Sequence, residues 1–393
     1  MKTIVVDHDT PTEISALARF NPIIPILRNL GAEDFDDGLT NDAVDGIITP
    51  RQIPEYLNTD YNIIYALTAR EPTTYEPADW LSGISEEIPT NIIELANAGK
   101  LHIAFFVGEI IAITPAQILG AVDPLLEKAG INKESITVYV PNFKIPDLGV
   151  SHIKFISIFE MSYFYDLKIF ERKRKGIPLN KNIIQHVNLN PRSKKFTCLN
   201  HLSKQHRLCF AASIFNAGKH TDGYFSYHQN PLLRGFPEGY FKTINPYHFM
   251  RHTPFWVDTK NGDGEVNYHD TVKKPFFADA YWNFVTESFY VDYCALTEKT
   301  FKPIANLQPF IIVGATGSLK ALRDLGYETF NDVIDESYDH IEDPDRRMKL
   351  LVEVALRLID MTDKQHIRMM TKIKPVLEHN QQVFLNKHWK DFL

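Results

Sequence analysis

The sequence contains little cysteine. Its 393 residues include three cysteines, Cys198, Cys209 and Cys294, and no two of them stand in a CxxC spacing. Three thiols at these positions are too few for a disulfide framework and do not have the spacing of a structural zinc site. We therefore expect reduced thiols, as in an intracellular protein.

Long apolar runs are also lacking. The first residues, MKTIVVDHDTPTE, turn acidic after a few positions, so they do not form the apolar core of a signal peptide. No run elsewhere approaches the roughly 20 apolar residues that span a bilayer. The sequence therefore predicts a soluble, cytoplasmic protein without a membrane span.

Several motifs of phosphate and metal chemistry are absent as well. There is no Walker motif, no GxGxxG, and no HExxH among the fifteen histidines. The formal net charge of −7 excludes a molecule that is basic as a whole, although it leaves room for a local basic groove. Because no histidines stand in a metal-binding spacing, we predict no metal-ligating residues in the site.

What the sequence does contain is an alternation of strand-like and helix-like segments. The first half has short β-branched runs, separated by stretches such as residues 115–129 that have the pattern of a helix. Such runs are typical of strands buried on both faces of a parallel sheet with crossover helices. The predicted strands of this half are residues 3–6, 46–49, 62–67, 101–107, 135–140 and 153–159.

The same alternation starts again in the second half, after a basic stretch at residues 171–182 that is best interpreted as a solvated linker. A chain of this length favours two domains. We predict an α/β fold with two Rossmann-like domains and a helical C-terminus. The predicted domains are residues 1–180, residues 181–362, and residues 363–393 as helices that pack back across both.

One block of the second half combines charges with helix-start signals. Residues 293–310 read YCALTEKTFKPIANLQPF, in which Thr297 suits an N-cap and Glu298 suits the first turn of a helix. Glu298 and Lys302 are spaced i, i+4 and so share a helix face. In a cleft, the carboxylate could hold ribose hydroxyls, and Lys299 or Lys302 could neutralise a diphosphate. A surface ion pair is the alternative at the same spacing.

A second block, KFTCLNHLSKQHR at residues 195–207, predicts a strand, a turn at Asn200, and a helix with Ser203 as its N-cap. Amide groups at the start of that helix would form an anion site. Arg207, one turn inside, could clamp a phosphate with two hydrogen bonds, and His206 lies beside it. The alternative is that these are solvated helix charges.

These two blocks carry a resemblance. The segment LTEKTFKPIANLQPFIIVGATGSL resembles the donor-site motif of fucosyltransferase-like and exostosin-like glycosyltransferases of the GT-B type. It is also similar to a group of uncharacterised large-phage and bacterial proteins, which share a block of the form KFxCLN followed by His-Arg. The match covers residues 195 to about 345. Some members of this broad class add sugars to bases of phage DNA.

The resemblance implies a GT-B-like enzyme that uses a nucleotide sugar, either a UDP- or a GDP-sugar, and no other cofactor. It implies that Glu298 contacts the ribose and that Lys299 or Lys302 lies near the phosphates. The implied acceptor is a hydroxylated base in double-stranded DNA or a glycan, and the implied location is the host cytoplasm if a phage encodes the protein. The need for a divalent metal and the oligomeric state are left open.

An inverting transferase also requires a general base. Glu109 is the first candidate, because it follows a buried strand and a glycine in HIAFFVGEIIAI, and Asp9 is the next, because it follows the first strand. Glu287 is a third candidate, although its position favours donor binding. A retaining enzyme needs no such base.

Two further functions are kept as alternatives. One is a non-catalytic phage or bacterial binding module with a glycosyltransferase-like fold, because a fold does not prove an activity. In that case the charges of Glu298 and Arg207 would be dispersed instead of facing one cleft. The other is a phosphatase that uses Asp7 and Asp9, although Pro11 stands where such enzymes carry threonine.

Overall fold

The computed structural model describes residues 2–7, 46–48, 50–68, 81–107, 114–157, 160, 183–228, 244, 246–257, 274–291 and 293–387. The chain forms two compact units. The first unit comprises residues 1–165 and 387–393, and the second unit comprises residues 166–386. The sequence-based boundary at residue 180 lies outside the described residues.

The first unit contains a parallel sheet of six strands in the order β2-β1-β3-β4-β5-β6. Its core consists of aliphatic and aromatic side chains such as Ile63, Tyr65, Ile103 and Phe105, which are almost fully buried. The strands are β1 (Lys2–Asp7), β2 (Gly46–Ile48), β3 (Tyr61–Thr68), β4 (His102–Phe106), β5 (Ile136–Val140) and β6 (Ile153–Phe155).

The helices of the first unit follow local sequence signals. The longest begins with a capping box between Thr114 and Gln117 and ends at Gly130, which has a left-handed conformation with φ of 69°. The described α-helices are α1 (Ile53–Tyr56), α2 (Gly83–Glu86), α3 (Thr90–Asn97) and α4 (Pro115–Ala129), with 3₁₀ turns at Pro50–Gln52, Lys133–Ser135 and Ile145–Leu148.

The second unit contains a parallel sheet of four strands in the order β10-β9-β7-β8. Aromatic side chains fill its core, and Phe196 stacks on Phe284 with ring centroids 4.8 Å apart. The packing is so close at the start of β8 that a Cβ atom on Gly223 would lie 2.5 Å from the Phe196 ring. The strands are β7 (Lys194–Asn200), β8 (Gly223–Tyr227), β9 (Ala280–Thr286) and β10 (Phe310–Val313).

The helices of the second unit include two that contribute to the site described below, α5 and α8. The α-helices are α5 (Gln205–Asn216), α6 (Tyr247–Met250), α7 (Lys274–Ala278), α8 (Glu298–Ala305), α9 (Ser318–Asp324), α10 (Pro344–Asp360) and α11 (Asp363–Leu385), with 3₁₀ turns at His220–Asp222 and Ser337–His340. The end of α11 supports α8, since Gln381 Nε2 donates a 2.7 Å hydrogen bond to the Ala305 carbonyl.

The predicted fold class is confirmed: the chain has two parallel α/β layers and a helical C-terminus. Helix α5 differs from the prediction in its start, which is Gln205 with Lys204 as the N-cap. Ser203 does not cap the helix because its hydroxyl bonds to the Tyr227 hydroxyl at 2.5 Å. Among the described residues, no helix is both long and apolar enough to cross a bilayer.

Candidate functional site

The strand order of the second sheet defines a topological switch point between β7 and β9. From β7 the chain passes through α5 to β8 on one side, and from β9 it passes through α8 to β10 on the other. In open parallel sheets, ligands bind outside the carboxyl ends of the strands at such a point, because the two connections leave a crevice there. The fold therefore marks the ends of β7 and β9 as the place to search for a site.

A cavity of about 280 Å³ lies at this point. Its walls come from the ends and one face of β7 and β9, from the start of α5, and from the first turns of α8. Its charged lining consists of four cationic side chains and one carboxylate: Lys204, Arg207, Lys299, Lys302 and Glu298. An excess of cations around one small space favours an anionic ligand, because like charges repel less when an anion lies between them.

Arg207 is the most firmly held of these cations. Its side chain is buried, with Nε and Nη2 donating to the Glu287 carbonyl at 3.2 and 3.0 Å and Nη1 donating to the Leu202 carbonyl at 3.2 Å. Burial lowers the pKa of Arg207, although a guanidinium keeps its charge in proteins. Neutral carbonyls orient the group, and the charges of Glu287 and Glu298 partly offset the effect of burial on its pKa.

Lys204 reaches the cavity from the N-cap of α5. Its ammonium group donates a 2.7 Å hydrogen bond to the Ser288 carbonyl and lies 4.7 Å from the centroid of the Phe289 ring. Burial, together with the neighbouring charges of Arg207 and Lys299, lowers the pKa of Lys204 to about 8. The lysine is therefore mostly charged at neutral pH, and its protonation is sensitive to an anion nearby.

Glu298, Lys299 and Lys302 enter the cavity from the first turns of α8. The Glu298 carboxylate is about one-fifth exposed and accepts a 2.7 Å bond from Lys299 Nζ. Burial raises the pKa of Glu298, but the charges of Lys299 and Lys302 outweigh burial and lower it to about 2. Glu298 is therefore ionised at neutral pH and can accept hydrogen bonds from hydroxyl groups.

Glu287 lies behind the cavity and joins its two halves. Its carboxylate is fully buried, with Oε1 accepting from Thr297 N at 3.0 Å and Thr300 Oγ1 at 2.6 Å. Oε2 accepts from Thr297 Oγ1 at 2.6 Å and from Ser288 N at 3.2 Å. This carboxylate accepts hydrogen bonds from donors at the start of α8 and interacts favourably with the helix dipole. Glu287 thus orients Arg207 through its backbone carbonyl and orients α8 through its carboxylate.

The other residues predicted to bind a donor lie around the cavity and not in its lining. His206 donates from Nε2 to the Glu287 carbonyl at 2.9 Å, and burial lowers its pKa to about 3, so the ring is neutral. Asn200 is buried and accepts a 2.7 Å bond from Thr286 Oγ1. Thr297 is the N-cap of α8, as its sequence context predicts.

The predicted catalytic carboxylates Glu109 and Asp9 lie outside the described residues. Asp7 ends β1, in the first unit. Within the described parts of the chain, no three His, Cys, Asp or Glu side chains come together in a way that could hold a metal ion.

Two ionisable residues of the lining were not among the predicted site residues. Lys204 is the first, and its position three residues before Arg207 places both at the start of one helix. His201 also lines the cavity, with Nδ1 3.0 Å from Nδ1 of His228, which follows β8. Only the pairing of β7 with β8 brings these two histidines together, so no local pattern could have identified the pair.

Comparisons with known proteins add little to this geometry. No family model matches the chain, and no curated protein matches its sequence. The N-terminal domain of trehalose-6-phosphate phosphatase from Candida albicans resembles it with a TM-score of 0.39 at 11% identity, over 98% of this chain and 95% of that chain. Trehalose-6-phosphate synthase OtsA resembles it with a TM-score of 0.37 at 13% identity, over 98% of this chain and 97% of that chain. Likeness at this level says nothing about what this chain binds or converts.

Proposed function

We propose that the protein is a glycosyltransferase that moves a sugar from a nucleotide-sugar donor to an acceptor hydroxyl. The cationic cavity at the switch point of the second sheet carries this proposal. Its arginine and lysines suit the two phosphates of a UDP- or GDP-sugar, and its ionised Glu298 suits the hydroxyls of a ribose. The sequence resemblance to GT-B donor sites, which involves the same residues of α8, supports the proposal independently of the geometry.

The cations would act on the leaving group. In the proposed reaction, the bond between the sugar C1 and the phosphate oxygen breaks, and the nucleoside diphosphate leaves with the electron pair. The acceptor oxygen forms the new bond to C1. Arg207, Lys204 and Lys302 would stabilise the negative charge that develops on the diphosphate, and Arg207 is held in place for this by carbonyl groups.

The acceptor side of the reaction rests on the sequence alone. We propose a hydroxymethylated base in phage DNA as the acceptor, with a glycan hydroxyl as the second choice, because the resemblance implies these classes. If the reaction inverts the configuration at C1, Glu109 is our first candidate for the base that takes the acceptor proton, and Asp9 is the second. If the configuration is retained, the departing phosphate takes that proton.

The first test of the donor site is thermal unfolding in the presence of UDP or GDP, with and without Mg²⁺. A nucleotide that binds the folded protein must stabilise it, by about 2.7 kcal/mol at a hundredfold excess over the dissociation constant. Lys302→Ala should reduce the shift. Lys320→Ala is the matched control, because Lys320 is an exposed lysine on α9 that pairs with Asp324 and does not line the cavity. No shift with either nucleotide would contradict the proposed donor site.

The second test separates an enzyme from a binding module. Purified protein is incubated with UDP- and GDP-sugars and hydroxymethylated DNA, and free nucleoside diphosphate is measured. Glu298→Ala should abolish release while the far-ultraviolet circular dichroism of the protein stays unchanged, because the Glu298 side chain lines the cavity and does not belong to the buried core. Nucleotide binding without any release from any sugar nucleotide would favour the non-catalytic module.

A further inference from the structure

The charged lining of the cavity suits the phosphates and the ribose of the proposed ligand and leaves its base without an assigned place. The cavity volume of about 280 Å³ lies just below the roughly 300–1,000 Å³ of pockets that enclose drug-sized ligands. The side chains next to the cavity therefore indicate which further part of the ligand can bind there.

Three rings follow one another on the β8 side of the cavity, and we call His201, His228 and Trp256 the aromatic rim. His201 lines the cavity, and its Nδ1 lies 3.0 Å from Nδ1 of His228. The His228 ring in turn packs on Trp256, with centroids 3.9 Å apart and planes inclined by 37°. The rim thus leads from the cationic space to an indole.

The backbone before Trp256 is bonded to the end of β8, and the tryptophan is exposed to solvent. The preceding residue, Phe255, exchanges two backbone hydrogen bonds with Tyr227 at the end of β8, of 3.0 and 3.1 Å. The tryptophan nevertheless keeps 37% of its surface accessible. Because the backbone before it is hydrogen-bonded and its ring packs on His228, the indole loses little conformational freedom when a ligand covers it.

We propose that the aromatic rim binds the nucleobase of the ligand whose phosphates occupy the cavity. This inference rests on the proposed function and adds the part of the ligand that the rim recognises. A base suits the rim because each of the three side chains is an aromatic ring on which a base can stack. Glu298, the carboxylate of the described lining, is on α8 and not in the rim. Phosphate binding and base binding then depend on separate side chains.

The test compares ligands with and without a base. Dissociation constants for UDP, GDP and pyrophosphate are measured by calorimetry on the full chain and on Trp256→Ala. Loss of one base–aromatic stack corresponds to roughly tenfold weaker binding. We expect that loss for at least one of the two nucleotides and no change for pyrophosphate. Trp256→Phe, which keeps a ring face, should recover most of the affinity.

Tyr247→Ala is the matched control, because Tyr247 is an aromatic residue that is 69% exposed and lies outside the cavity lining. It should leave all three constants unchanged. The aromatic rim is not a base site if Trp256→Ala binds both nucleotides as tightly as the natural protein does. The same conclusion follows if Trp256→Ala binds pyrophosphate more weakly by the same factor as it binds the nucleotides. If pyrophosphate and both nucleotides fail to bind the natural protein, the donor site itself is refuted.

Discussion

Glutamine in place of Glu287 should cost the second unit about 3 kcal/mol of its free energy of unfolding, although the two side chains have nearly the same shape. Glu287 is fully buried, and four donors converge on its two oxygen atoms. Each oxygen accepts one backbone N–H, from Thr297 or Ser288, and one hydroxyl hydrogen. The substitution replaces one of these oxygens with an NH₂ group.

The magnitude follows from what each donor can do next. A threonine hydroxyl can turn and accept a bond from the new amide. A backbone N–H cannot turn, so in either orientation of the glutamine one buried amide loses its acceptor, at a cost of about 1–3 kcal/mol. The remaining bonds lose the assistance of a charge, which roughly halves their strength. Together these effects give the expected loss of about 3 kcal/mol.

The assay is urea unfolding of the full chain, followed by tryptophan fluorescence, because Trp282 is buried in β9 next to the network. A loss of this size should lower the midpoint of the transition by about 1 M urea. Glu378→Gln is the control, since it makes the same chemical change at an exposed carboxylate of α11 that pairs with Lys374 and should cost less than about 1 kcal/mol. Equal costs for the two variants would refute the role of the Glu287 network.

Three other perturbations have defined outcomes. Burial lowers the pKa of His366 from 6.5 to about 4, so the folded state binds the proton more weakly than the unfolded chain and stability falls as the pH drops below 6.5. Between pH 7 and pH 5 the natural protein should therefore lose about 2 kcal/mol of its free energy of unfolding through this histidine. Urea unfolding of His366→Phe should lack this loss, and a loss of the same size in the variant would contradict the prediction. Because Lys204 has a pKa of about 8, its charge is lost above that pH. The affinity for UDP, measured by calorimetry, should therefore fall by roughly tenfold between pH 7 and pH 9.5, and much less in Lys204→Gln. Gly223→Ala places a methyl group against Phe196 and should destabilise the protein by about 1–3 kcal/mol. Gly120→Ala, on an open face of α4, should stabilise it slightly, and urea unfolding measures both changes.

Features that depend on local interactions could be predicted from the sequence. The β-branched runs of the first half all occur as strands, because such segments can bury both faces in a parallel sheet. The N-cap at Thr297 was predicted because the preference of threonine for that position arises within a single turn of helix.

Features that depend on tertiary contacts could not be predicted in this way. Strand β9, AYWNFVT, was not recognised, because its aromatic residues have neither the alternation nor the β-branched composition of its neighbours. The roles of Glu287 required the fold, since its carbonyl bonds to Arg207, which lies 80 residues earlier. No periodicity connects positions so far apart.

The pairing of β7 with β9 also bears on when the site forms during folding. The two halves of the cavity come from strands about 86 residues apart, joined for example by the hydrogen bond from Thr286 to Asn200. Contacts at such separation form slowly, because a long loop must close before they contribute any stability. The anion site is therefore absent from any chain in which this pairing has not yet formed. A ligand that needs both halves should leave the folding rate unchanged and slow unfolding, so its effect is to prolong the lifetime of the folded state.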